Sequence, residues 1–361
     1  MKKSIYKLAL ILFLIPLVSF ANNDTGKKHE KSRTIKKEYS VSSDAIVGIS
    51  NKYGNINVIT WNKNRVEITV KITVKGNDLS VVEKKLRNIN VDFNANSSMV
   101  SAKTIFGKSS KSWSFWGKSN KTSYQIDYTV KMPKSNSVKL NNDYGSILVN
   151  EIDGSADIDC DYGKIIIGDL NHSNNSINLD YCSRSTINYM KSGTVNVDYS
   201  KLTIDKIEDV KANSDYSTLN FGDVGSITFN ADYGSVTIDS GNDITGNTDY
   251  VSVHLGKVKS NLNLKADYGS IKIKELVKGF SKADISGQYA GITIGTSSNN
   301  SFNFEIDLSY GSFKRNDNNI NLNKSISKSS KKYYEGSYGK SNGSSKLTIK
   351  SQYGSVSLKE Q

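Results

Sequence analysis

Ile227-Thr228-Phe229-Asn230-Ala231-Asp232-Tyr233-Gly234-Ser235-Val236-Thr237-Ile238 is the stretch on which the fold turns. Ile227, Phe229 and Ala231 alternate with polar residues, and Val236 and Ile238 resume the alternation beyond the tyrosine. Period-2 alternation marks strands with one buried face. The parity changes once, between Tyr233 and Val236, so a corner separates two short strands. Gly234 offers the permissive backbone for that corner.

The same unit recurs along the chain. A tyrosine preceded by a small polar or acidic residue stands at Tyr144, Tyr162, Tyr181, Tyr199, Tyr216, Tyr233, Tyr250, Tyr268, Tyr289, Tyr310, Tyr338 and Tyr353. Lys52-Tyr53-Gly54-Asn55 is an isolated earlier relative. Counted from each tyrosine, apolar or small residues fall at −6, −4, −2, +3, +5 and often +8. Leu262, Leu264, Ala266, Ile271, Ile273 and Leu276 fill those places around Tyr268, and Val210, Ala212, Leu219, Phe221 and Val224 do so around Tyr216.

Two strands in a unit of about 18 residues fit one coil of a stacked array in which no coil is stable alone. The expectation is an all-β chain: a right-handed parallel β-helix, or β-solenoid, of about twelve coils. At the inter-strand spacing this makes a rod roughly 55 Å long. An outer-membrane barrel needs longer strands, about 9–11 residues. A β-sandwich does not require so uniform a repeat. The tyrosines, by this alternation, face the interior.

The ends read differently. Lys2, Lys3 and Lys7, the apolar run Leu8 to Phe20, and Ser19-Phe20-Ala21 read as a signal peptide over residues 1–21. The run is short for a membrane span, and no later segment is apolar enough to provide one. Residues 22–134 read as strands, one helix and a cap, and residues 135–361 as the regular solenoid, interrupted near 314–335. Strand-like runs lie at 45–50, 56–60, 66–74, 89–93, 99–105 and 124–132. Asp78 suits an N-cap, with Leu79, Val82 and Leu86 on one helical face. The insertion at 314–335 reads as a solvated loop. The chain stops soon after Val356-Ser357-Leu358, which predicts an open edge at the far end.

The formal net charge is +13, or +10 without the three signal-peptide lysines, and is spread over the chain. Such a surface suits acidic glycans, lipopolysaccharide or phosphate groups. An exported chain without a reader motif is a poor nucleic-acid binder.

Asn51-Lys52-Tyr53-Gly54-Asn55-Ile56-Asn57-Val58, then Trp61-Asn62-Lys63-Asn64 and a charged β-run, resembles the opening of the DUF4097 putative-adhesin family common in Bacteroidetes. Met132-Pro133 before the Asp-Tyr-Gly-Ser units is similar too. The resemblance spans nearly all of the mature chain. It implies a β-strand-repeat protein of the cell envelope and supplies no catalytic residues.

Two features are candidates for contact. The first is the row preceding the tyrosines: Asp143, Asp161, Asp180, Asp198, Asp215, Asp232, Asp249 and Asp267, then Gln288, Ser309, Ser337 and Gln352. Stacking aligns eight carboxylates that repel one another by roughly 1 kcal/mol per neighbour in water. Local Asx-turn hydrogen bonds offset that; the alternative is a row of hard cations such as Ca²⁺. The second is Trp113, Phe115 and Trp116 among Ser and Lys, read either as a glycan or partner contact or as cover for the hydrophobic end of the first coil.

No cofactor is expected. His29, His172 and His254 occupy unrelated places, and no Gly-x-Ser-x-Gly, His-Glu-x-x-His or phosphate loop occurs. Cys160 and Cys182 lie three repeat positions apart, about 10 Å along a strand. A disulfide between them suits an oxidising compartment, although Cys160 reads better as a small buried residue. The reading that fits best is an exported, non-catalytic, adhesin-like binding or scaffold protein for a glycan or an envelope protein. A polysaccharide lyase or hydrolase and an envelope-stress partner are the alternatives.

Overall fold

The computed structural model describes residues 28–107, 122–315, 319–340 and 344–361. The candidate signal peptide and Trp113, Phe115 and Trp116 lie outside the described residues. The described chain is all-β: 21 strands joined in one hydrogen-bonded sheet, with one α-helix, Leu79–Asn88.

Each Tyr-Gly unit contributes two strands, and each strand pairs in parallel with its counterpart in the next unit. Ala156–Asp161 runs alongside Ser137–Asp143, with Ala156 facing Val138 and Asp161 facing Asp143. Its other edge carries Asn175–Asp180, with Asp161 facing Asp180. The second strands do likewise: Lys164–Leu170 lies between Ser146–Ile152 and Ser185–Asp198. The register step equals the sequence repeat, so equivalent residues stack. From Lys201 to Leu276 strand pairing continues without a break through four successive tyrosine corners.

The predicted inward set is buried. Ile227, Phe229, Ala231, Val236 and Ile238 are 3% exposed or less, as are Leu262, Leu264, Ala266, Ile271, Ile273 and Leu276. Volumes compensate between neighbouring units. A Cβ on Gly246 would lie 2.3 Å from the Phe229 ring and 2.7 Å from Leu264, so that glycine makes room for a large ring one unit away.

The tyrosines do not follow the alternation. Twelve of them, from Tyr53 to Tyr353, hold φ between 48° and 62° and are 41–63% exposed. The left-handed corner residue is therefore the tyrosine and not the glycine after it, and its ring points outward. The glycine serves another purpose. Built Cβ atoms on Gly145 and Gly163 would lie 1.8 and 1.9 Å from the carbonyl oxygens of Gly54 and Gly145, so the corner backbone lies directly on the corner below. Where the unit lacks glycine, a small or compact side chain turns inward instead: Cys182, Ser200, Ser217, Val251 and Ala290 are buried.

The unit around Tyr53 is not isolated. Ile46–Lys52 pairs in parallel with Ser137–Asp143, and Ile56–Trp61 with Ser146–Ile152, so this unit stacks directly on the one around Tyr144. Beyond it the pairing turns antiparallel. Ser123–Pro133, Arg65–Gly76 and His29–Ser40 form a three-stranded antiparallel extension, and Ile89–Ala95 pairs antiparallel with Met99–Phe106. The strand His29–Ser40 is unsignalled in sequence because Ile35 and Tyr39 are its only strongly apolar residues. The helix forms as predicted: Asp78 accepts hydrogen bonds from the Ser80 and Val81 amides, and Val82 is buried.

At the other end the order of units departs from the order of sequence. Lys346–Gln352 lies between Lys282–Thr296 and Phe302–Ser309, parallel to both. Ser355–Glu360 likewise pairs with Lys282–Thr296 and with Ser312–Arg315. The chain terminus is thus threaded into the stack rather than forming its open edge. The segment predicted as a solvated loop contains Ile320–Ser327 and Lys331–Tyr338, an antiparallel pair that covers Phe302–Ser309. Tyr338, read as a repeat tyrosine, belongs to that pair. It is fully buried and stacks on Phe302 at 5.1 Å.

Candidate functional site

The outward tyrosines form a single column. In spatial order it runs Tyr53, Tyr144, Tyr162, Tyr181, Tyr199, Tyr216, Tyr233, Tyr250, Tyr268, Tyr289, Tyr353, Tyr310. Every neighbouring pair is stacked, with centroids 4.7–5.3 Å apart and planes within 11°. The step is the strand spacing, so the column is on the order of 50 Å long. Each left-handed tyrosine costs about 1–2 kcal/mol of backbone strain. Each aromatic pair returns about 0.5–1.5 kcal/mol beyond area burial. The two terms are of one size, which is why the strained corner needs its ring neighbours.

Stacking determines what the column presents. The ring faces lie against one another, so a ligand along its length meets ring edges and phenol oxygens. Loss of hydration holds the Tyr162, Tyr199 and Tyr233 phenols above their ordinary range, with adjacent phenols and carboxylates adding to it. At one end Tyr53 is closed off by Phe106, edge-on at 6.0 Å, and by Tyr124 at 6.1 Å. At the other, Tyr310 is the most exposed member at 63%.

The predicted aspartate row runs beside this column. Asp143, Asp161, Asp180, Asp198 and Asp215 face one another in unbroken register, and the row passes from Asp267 to Gln288, Gln352 and Ser309. Its ends hold lysines: Lys52 pairs with Asp143 at 2.6 Å, and Lys265 with Asp267 at 3.7 Å. Between them, partial burial raises the pKa of Asp161, with Asp143, Asp180 and Asp159 adding repulsion, and burial raises that of Asp198. The Asp198 carboxylate accepts the Asp215 amide of the next unit at 3.2 Å, a bond between units where a bond within the corner was expected. The row is linear. Among the described residues no three His, Cys, Asp or Glu side chains converge as a metal centre requires.

A third column was missed in the sequence. Asn178 donates to Asp159, Asn196 to Asn178, Asn213 to Asn196 and Asn230 to Asn213, at 2.6–3.2 Å. The signal was there: these residues all sit three places before their tyrosines. Phenols, carboxylates and amides thus form three parallel stripes. Where the acidic row ends, the stripe passes into a shallow groove of about 290 Å³ lined by residues including Lys265, Gln288, Asp307, Lys350 and Gln352.

No family model matches the chain, and no curated protein matches its sequence. Among solved structures, a putative cell adhesion protein from Clostridium sporogenes is 10% identical with a TM-score of 0.17, covering 91% of this chain and 100% of its own. A putative adhesin from Bacteroides fragilis is 9% identical at a TM-score of 0.31, covering 91% and 97%. A putative lipid binding protein from Parabacteroides distasonis is 10% identical at 0.32, covering 92% and 98%. Similarity this low carries no argument about ligand or activity.

Cys160 and Cys182 are both buried free thiols. Their separation along a strand proves irrelevant, because they meet across the corner between adjacent units. The Cys182 thiol donates to the Cys160 carbonyl at 3.0 Å, and contact with Cys182 together with burial pushes the Cys160 thiol far up. No helix among the described residues is long and apolar enough to cross a membrane.

Proposed function

We propose that the chain is an exported, non-catalytic envelope protein, that its units form a right-handed parallel β-helix, and that the striped face holds a glycan or an envelope protein in adhesin-like fashion. One observation carries this reading: the uninterrupted column of exposed, mutually stacked tyrosines beside a carboxylate row. A rigid face that repeats the same polar contacts every strand spacing suits an extended partner with repeated hydrogen-bond donors. Ring faces are occupied by neighbouring rings, so recognition is through hydroxyl and carboxylate oxygens and not through stacking on a sugar. In this reading residues 22–134 close one end of the rod, and the fixed phenol oxygens add affinity because little side-chain order is lost on binding.

The test is a screen of envelope glycans and envelope proteins against the full mature chain and a variant carrying Asp180→Lys, Asp215→Lys and Asp249→Lys. The reading expects a ligand whose binding the charge reversal abolishes. A ligand bound equally by both proteins removes the striped face from the account.

A further inference from the structure

The antiparallel sheet at the Tyr53 end has its own outer face, far from the acidic row in chemistry. Trp61 anchors it. The indole Nε1 donates to the Arg65 carbonyl at 2.9 Å, which fixes the ring. Three cations gather on that ring: Lys63 Nζ lies 5.0 Å from its centroid, the Arg65 guanidinium carbon 5.2 Å and Lys131 Nζ 5.9 Å. Cations so close repel one another, and the π face offsets only part of that repulsion.

The carboxylates of this face are already engaged. Arg65 holds both Glu38, at 3.0 Å, and Glu67, at 2.8 Å. Asp127 accepts from the Asn55 amide and from Gln125. Among the described residues Lys36, Lys37, Lys63 and Lys131 form no ion pair with a carboxylate. Strand register puts Lys36 beside Thr69 and Thr69 beside Thr129, with Glu38, Glu67 and Lys131 in the neighbouring row. Between these rows lies a concavity of about 370 Å³ lined by Lys36, Lys37, Thr69, Thr129 and Lys131 and by Glu38 and Glu67, the two glutamates that Arg65 holds. It combines three ammonium groups outside any ion pair, two carboxylates already held by Arg65, two neutral hydroxyls and the size of a small ligand cleft.

We infer that this concavity is a second binding site, independent of the striped face, that takes the oxyanion of an acidic polysaccharide. A carboxylate or phosphate carried on a sugar sits between Lys36 and Lys131, and the Thr69 and Thr129 hydroxyls donate to the sugar or its charged group. The lysine charges favour the anion, and the threonines and the shallow polar walls favour a hydroxylated carrier over an acyl chain.

The experiment is titration calorimetry on the full mature chain with four probes: oligogalacturonate for a carboxylate, glucose 1-phosphate for a phosphate, cellotetraose as the neutral control, and phosphatidylglycerol vesicles for a lipid source. Oligogalacturonate, the phosphate sugar or both should bind, more weakly as salt is raised. Cellotetraose should not bind. Lys36→Gln with Lys131→Gln should weaken that binding about tenfold or more. Thr129→Ser, which keeps the hydroxyl, should retain it. The double variant should keep the wild-type melting temperature, which would make the loss local. The Asp180→Lys, Asp215→Lys, Asp249→Lys variant should bind these probes as the wild type does, which separates this site from the striped face. Equal binding of cellotetraose, full binding by the lysine variant, binding to vesicles alone, or no binding of either anionic sugar overturns the inference.

Discussion

The middle of the molecule and its two ends obey different rules. From Tyr144 to Tyr289 strands pair in parallel with strands one unit away, and the register slips only between Ile273 and Leu276 among the pairings seen there. At the ends the pairing partners are remote in sequence. Ile46–Lys52 reaches Ser137–Asp143, Phe302–Ser309 meets Lys346–Gln352, and antiparallel strands take over beyond both. A uniform parallel stack cannot end by its own rule, because its last unit offers an unpaired edge. The ends solve this with long excursions that return antiparallel strands, at the cost of longer loop closure.

The difference can be broken most severely by removing residues 344–361. If those residues were a terminal extra unit, the loss would be modest. Threaded between two units, their removal leaves facing strands on both sides unpaired. We expect loss of cooperative unfolding at the far end and aggregation, read by calorimetry and sedimentation, while hydrogen-exchange protection persists around Tyr162 to Tyr233.

Corner glycines in the stacked region should be far less tolerant than a glycine in open space. Gly163→Ala puts a methyl 1.9 Å from a carbonyl oxygen, whereas a Cβ on Gly291 meets nothing within 4 Å. Gly163→Ala should cost about 1–3 kcal/mol, and Gly291→Ala should stay within about 0.5 kcal/mol, both measured by denaturant unfolding.

The tyrosine corner makes a finer contrast. At φ 51° Tyr233 loses its stack in either Tyr233→Ala or Tyr233→Gly, but only alanine retains the backbone strain. The glycine variant should be the more stable of the two by about 1 kcal/mol, opposite to the order in an ordinary strand.

The smallest effect is electrostatic. The raised pKa of Asp161 means that the folded state binds its proton more tightly than the unfolded chain does. That contribution is therefore present at acid pH and is lost as pH rises through the carboxylate range. Asp161→Asn should stabilise the protein near neutral pH by a few tenths of a kcal/mol, given its partial exposure. The gain should vanish below the ordinary Asp pKa, about 3.9. A gain independent of pH would contradict the repulsive row.

How much of this was legible in sequence follows the same division. Burial of Ile227, Phe229, Val236 and Ile238 was readable because neighbours in space are one repeat apart in sequence. The outward tyrosines were not, because alternation holds only while the backbone stays in the β region, and a left-handed residue breaks it. Ser337-Tyr338-Gly339 imitates the motif, yet its ring is buried in an antiparallel pair. The threaded terminus had only indirect signals: irregular spacing around Tyr338, and the glutamine that Gln288 and Gln352 share before their tyrosines. The candidate site was half visible. The repeat spacing alone implies that Asp143 to Asp215 lie side by side, while the asparagine ladder beside them and the concavity at Lys36 and Lys131 depend on register between strands.

The most direct test is a crystal structure of the protein, read for the order and spacing of its tyrosine rings. The account predicts one outward column at about 4.9 Å per step, with Tyr353 lying between Tyr289 and Tyr310. Tyrosines facing the interior, units paired as antiparallel hairpins, or Tyr353 at the end of the column would contradict it.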